Sequence, residues 1–70
     1  MSDPITVTLN GTTRMLPAGR TVTQLLESLG LHPALVVVEH NREILDRAAL
    51  PTTEVGDGDV LEVVHFVGGG

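Results

Sequence analysis

With 70 residues, a formal net charge of −5 and 41% apolar residues, the chain has room for one domain, and at this size a domain buries only about 60% of the surface its unfolded form exposes. Phe66 is the only aromatic residue and cysteine is absent, which argues for a thin aliphatic core without a large substrate pocket and excludes disulfides, thiolate metal sites and thiol nucleophiles. The basic residues are four scattered arginines, Arg14, Arg20, Arg42 and Arg47, which argues against a nucleic-acid partner, and no apolar run approaches the ~20 residues of a membrane span, so a soluble cytoplasmic protein is expected.

Residues Ile5, Val7 and Leu9 alternate with Thr6 and Thr8, the period-two pattern of a half-buried strand built from β-favouring residues. Asn10-Gly11 follows and predicts a type I′ hairpin turn, which needs positive φ at both central residues. The returning strand is placed at residues 12–16, and Pro17, Ala18 and Gly19 break it. Thr21 with Gln24 three positions later forms a candidate capping box that opens a helix. Val22, Leu25, Leu26 and Leu29 fall at i, i+3, i+4 and i+7, one apolar stripe facing a sheet. Gly30 is placed to end that helix as a left-handed cap residue, and Pro33 prevents its resumption.

The run Leu35, Val36, Val37, Val38 predicts a central strand over residues 35–39, covered to some degree on both faces. His40-Asn41 then turns the chain into a short strand at residues 43–45. Residues 46–53 read as a helical turn stopped by Pro51, and Gly56-Asp57-Gly58-Asp59 as a tight polar turn. Residues 60–67 form the longest expected strand, and Gly68, Gly69 and Gly70 end it. One helix over one face of a mixed four- to five-stranded sheet is an α+β design. With an N-terminal hairpin, a crossing helix and a last strand lying centrally beside the first, the order is that of the β-grasp, or ubiquitin-like, plan. Residues 1–67 are assigned to the domain and 68–70 to a flexible glycine tail.

Self-contained enzyme motifs are missing. Ser2 and Ser28 have no histidine or acid at a suggestive spacing, and no glycine-rich phosphate loop with its lysine occurs. His32, His40 and His65 lack the paired spacing of a zinc site and read as surface or edge histidines. The carboxylates of Asp57 and Asp59 lack the further ligands of a calcium loop and read as parts of a plain turn. No metal and no cofactor is expected on this chain.

The tail differs. Bare glycines at a terminus are a frayed end in one reading, and in the other an extended thread that reaches about 10 Å past the last strand into a narrow channel, carboxylate first. A carboxylate must be activated, for instance as an acyl-adenylate, before a nucleophile can displace its leaving group. Lysine is absent from the chain, so no side-chain amine is present to attack such an activated terminus.

Together with the element order and the length, the Asp57-Gly58-Asp59 turn, the run from Leu61 through Glu62, Val63, Val64, His65 and Phe66 to Val67, and the terminal glycines resemble ThiS, the sulfur-carrier family of thiamine thiazole biosynthesis, over the whole chain. A glycine pair alone is shared with the carriers for molybdopterin and for tRNA thiolation, and those pathways remain alternatives, as does a β-grasp interaction module that carries no sulfur. The resemblance implies a protein cosubstrate rather than an enzyme. Its Gly70 would be adenylated and then converted to a thiocarboxylate, with Gly68 and Gly69 supplying reach. The implied partners are an E1-like, ThiF-type adenylyltransferase that binds MgATP, a ThiG-type thiazole synthase that accepts the sulfur, and indirectly a cysteine desulfurase. Strand parity adds a docking face. Glu62 should avoid the helix-covered side, so Val64 and Phe66 share its open face, joined by Val37 through the same argument from Glu39.

Overall fold

The computed structural model describes residues 3–66. Strand β1 (Ile5–Leu9) and strand β2 (Thr12–Leu16) form an antiparallel hairpin in full register from Ile5 opposite Leu16 to Leu9 opposite Thr12. The turn between them has φ of 49° at Asn10 and 80° at Gly11, the left-handed pair expected of a type I′ turn. Helix α1 (Val22–Ser28) opens with the expected capping box: Gln24 N–H donates to Thr21 Oγ1 at 3.2 Å and Thr21 N–H donates to Gln24 Oε1 at 2.9 Å. Gly30, at φ 74°, follows the cap residue Leu29.

A short 3-10 turn, Pro33–Leu35, leads into strand β3 (Val36–His40). Here the expectation is corrected at its start. Pro33 favours the helical turn, and His32 Nδ1 accepts from Ala34 N–H at 3.1 Å, so Leu35 is drawn out of the strand. The strand is covered to some degree on both faces, as expected, but unequally. Val36 and Val38 are buried, while Val37 between them is only half-buried, because α1 covers one side of the sheet. Strand β4 (Glu43–Ile44) returns from a turn in which both Asn41 and Arg42 have positive φ, 50° and 72°. A second 3-10 turn, Arg47–Ala49, occupies the expected place before Pro51. The last element is β5 (Val60–His65), one residue short of the described end. Val67, expected to belong to it, lies outside the described residues with the three glycines.

The sheet order is β2-β1-β5-β3-β4. Strand β5 therefore lies in the middle, parallel to β1 (Thr8 opposite Val60, Leu9 opposite Leu61) and antiparallel to β3 from His40 opposite Leu61 to Val36 opposite His65. Val7, Val38 and Leu61 of the sheet meet Val22, Leu25 and Leu26 of α1 in a single core, each at most 1% exposed. Burying each of these side chains contributes about 1.5–3 kcal/mol. Among the described residues, the opposite sheet face carries no helix. Among the described residues no helix is long and apolar enough to cross a membrane.

Candidate functional site

Parity along β5 sorts its residues between the two faces. Leu61 is fully buried and Val63 packs against the core, whereas Glu62, Val64 and Phe66 project to the open side, Val64 being 60% and Phe66 50% exposed. On the neighbouring strand Val37 lies directly opposite Val64. Phe66 N–H donates to Leu35 C=O at 2.9 Å, which continues the pairing one step beyond the strand. The three residues expected to form a docking patch are thus brought together by adjoining positions of β3 and β5, at the end of β5 that leads to the tail. Leu35, 49% exposed, adds apolar surface beside Phe66; parity could not reveal it, because a 3-10 turn does not alternate faces. Gly68, Gly69 and Gly70, the residues expected to carry the chemistry, lie outside the described residues.

Three further exposed apolar side chains belong to the open face but lie farther out, Val60 at the start of β5 opposite Thr8, Ile44 on β4 opposite Glu39 and Met15 on β2 opposite Thr6. Glu39 and Glu62 stand directly opposite each other next to the patch. Among the described residues the single ion pair joins His40 to Asp59, so neither glutamate has a cationic partner there, and like charges across a ladder oppose each other.

The carboxylates of the turn at residues 56–59 are used by the fold. Asp57 Oδ1 accepts from Thr6 N–H at 2.8 Å, and Gly58 N–H donates to Thr6 C=O at 2.7 Å. Asp59 Oδ2 accepts from Gly56 N–H at 2.7 Å and lies 2.7 Å from His40 Nε2, while Oδ1 accepts from Asn41 Nδ2 at 3.1 Å. Burial pushes the Asp59 carboxyl up, but the hydrogen bonds from Gly56, His40 and Asn41 and the charge of His40 outweigh it, so its pKa lies below the ordinary 3.8. The turn is a latch that ties β1 and β5 to the β3–β4 turn. His40 is accordingly more than the surface or edge histidine expected of it, and His32 caps a 3-10 turn. Ser28 Oγ donates to Leu25 C=O at 2.7 Å, a local helix bond. Among the described residues no group of three or more His, Cys, Asp or Glu side chains is placed to hold a metal ion. A cleft of about 210 Å³ lies between β3, β4 and the second 3-10 turn, with Leu45 and Leu50 in its wall; that is below the usual size of a small-molecule site.

A two-layer sheet with one crossing helix, its last strand central and parallel to its first, and an apolar open-face patch at that strand's exit, defines a ubiquitin-like β-grasp protein. The family comparison is more specific. The ThiS family model matches residues 7–70, and the chain belongs to that family. It is 46% identical over 50 residues to the sulfur carrier protein ThiS of Bacillus subtilis, covering 71% of this chain and 76% of that one. A crystal structure of thiamine biosynthesis protein ThiS from Geobacter metallireducens superposes with a TM-score of 0.78 at 38% identity, covering 94% of this chain and all of the other. A thiazole synthase of Paramagnetospirillum magneticum is 44% identical over 62 residues, 89% of this chain. The chain spans about a fifth, 19%, of the length of that synthase.

Proposed function

We propose that this protein is a sulfur carrier for thiazole synthesis and a cosubstrate of other enzymes rather than an enzyme itself. The observation that carries the reading is the continuity of the family match through residue 70 with a fold whose central strand brings the chain to Phe66 beside an exposed apolar patch. The Gly70 carboxylate attacks the α-phosphate of MgATP held by a ThiF-type adenylyltransferase, giving an acyl-adenylate and pyrophosphate. Persulfide sulfur from a cysteine desulfurase displaces AMP, and a thiol reductant releases the thiocarboxylate. A ThiG-type thiazole synthase takes the sulfur, and the carboxylate is restored. Support for that last partner is the similarity of this chain to a segment of proteins named thiazole synthase. A carrier joined to its acceptor enzyme in one polypeptide meets it at high effective concentration.

In the same reading Val37, Val64 and Phe66 are the surface that docks on these enzymes, placing residues 68–70 at the reacting centre. Glycine suits that task because a side-chain-free thread enters a narrow channel without steric cost. The test is intact mass after incubation with a ThiF-type adenylyltransferase, ATP and sulfide. Sulfide replaces AMP on the acyl carbon, so the carrier should gain about 16 Da as oxygen gives way to sulfur. Removal of Gly69 and Gly70 should abolish the gain and leave the fold intact. No gain with an enzyme that is active on another carrier refutes the proposal and favours an interaction module.

A further inference from the structure

Strand β5 is held differently on its two edges. On the β3 side its backbone bonds run from Asn41 N–H donating to Val60 C=O at 2.8 Å to Phe66 N–H donating to Leu35 C=O at 2.9 Å. On the β1 side the backbone partners end early. Thr8 N–H donates to Asp59 C=O and Asn10 N–H to Leu61 C=O, both at 2.9 Å, after which the main chain turns away at Asn10. The next β5 residue facing that edge is Val63, and its partner is a side chain. Val63 N–H donates to Asn10 Oδ1 at 2.8 Å, and Asn10 Nδ2 donates to Val63 C=O at 3.2 Å. A carboxamide offers the same donor and acceptor as a peptide group, so Asn10 supplies one more strand position where its own strand has stopped.

We propose that Asn10 is a positioning residue for the glycine tail: its carboxamide clamps β5 at Val63, three residues before Phe66, and thereby fixes the point from which residues 67–70 depart relative to the docking patch. This rests on the sulfur-carrier reading above. The residue requirement is narrow. Asn tolerates the φ of 49° that the turn imposes. Aspartate would keep the acceptor for Val63 N–H but lose the donor to Val63 C=O, and glycine would keep the turn but lose both. A residue present only for its turn conformation would be replaced by glycine without consequence. With the clamp gone, β5 beyond Leu61 is bonded on one edge only, and a partner enzyme must order the last residues of the strand as it binds.

The experiment uses the full chain with Asn10→Gly and Asn10→Asp, in two measurements made well below the melting temperatures. In amide hydrogen exchange, Val63 N–H should exchange at least about tenfold faster in Asn10→Gly, and should stay protected in Asn10→Asp. In ATP–pyrophosphate exchange by a ThiF-type adenylyltransferase, Asn10→Gly should raise the KM for the carrier about three- to tenfold at unchanged kcat, because ordering cost falls on binding. Asn10→Asp should lie between Asn10→Gly and the unsubstituted chain. Unchanged KM or unchanged Val63 exchange in Asn10→Gly overturns the proposal, and so does a fall in kcat at constant KM. An unsubstituted chain that supports no exchange, with an enzyme active on another carrier, overturns the sulfur-carrier reading instead.

Discussion

Replacing Phe66 by alanine measures how much of the docking energy lies at the exit of β5. A phenylalanine side chain buries about 150–250 Å² when fully covered, and Phe66 is 50% exposed in the free protein. About 100 Å² is therefore left for a partner to cover, worth about 2.5 kcal/mol at ~25 cal/mol per Å². Alanine retains the β-carbon, which leaves a loss of about 2 kcal/mol, or about a thirtyfold weaker Kd. The buried half of the ring packs on its own chain, so the variant also melts at a lower temperature, and titration calorimetry against the adenylyltransferase belongs well below that transition. Met15→Ala is the control. Met15 is 69% exposed on the same face, but it lies on the edge strand β2, two strands away from β5, and its loss should leave Kd within about twofold. A folded Phe66→Ala protein that binds within twofold of the unsubstituted chain would refute the docking assignment.

Three further outcomes follow from the latch, the open face and the β3–β4 turn. Because the folded-state pKa of Asp59 lies below 3.8, its share of stability is present above that value and disappears as pH falls through the lower folded one. Urea titrations between neutral pH and pH ~2 should show a shallower acid decline in Asp59→Asn, which already lacks the carboxylate at neutral pH; an identical decline would be contrary to this account. Glu62→Gln removes the repulsion from Glu39 opposite it and should stabilise the free chain by about 0.2–1 kcal/mol, less at high salt; a lower melting temperature would show that the pair is not repulsive. Arg42 adopts φ 72°, where an L side chain is strained by about 1–2 kcal/mol. Arg42→Gly should raise the melting temperature, and a fall would mean that the arginine makes a stabilising contact exceeding that strain.

Local chemistry accounts for what could be read before the structure. The Asn10-Gly11 turn, the Thr21 and Gln24 capping box and the parity of Leu61 against Glu62 each depend on residues within a few positions of one another, and the limits of β1, β2 and α1 agree with the observed ones, whereas β5 stops at His65 and leaves out Phe66, which was expected to belong to it. The central place of β5 followed from the element order. What escaped depends on distance or on exceptions. Leu35 lies in an apolar run that reads as strand, yet Pro33 and the His32 cap hold it in a 3-10 turn. Arg42 carries a left-handed φ with no glycine to announce it. The bonds from Asn10 to Val63 span 53 positions, and nothing in the local pattern distinguishes an asparagine that turns the chain from one that also clamps another strand. Of the candidate site, the patch residues were legible through alternation, whereas the glycines rest on chemical reasoning and family membership.

The central position of β5 also orders events during synthesis. The hairpin of β1 and β2 and the pair of β3 and β4 can each form locally, but they share no strand neighbour until β5 is inserted between them. Pairing of β1 with β5 joins Thr8 to Val60, a separation that makes sheet closure a late and slow step. A nascent chain that has not yet released β5 therefore exposes two unfinished sheet edges and no assembled Val37 and Val64 pair. Under the proposed sulfur-carrier function, partner enzymes would be offered the docking surface only by a chain translated through its last strand, and the topology would restrict activation to molecules whose sheet is complete.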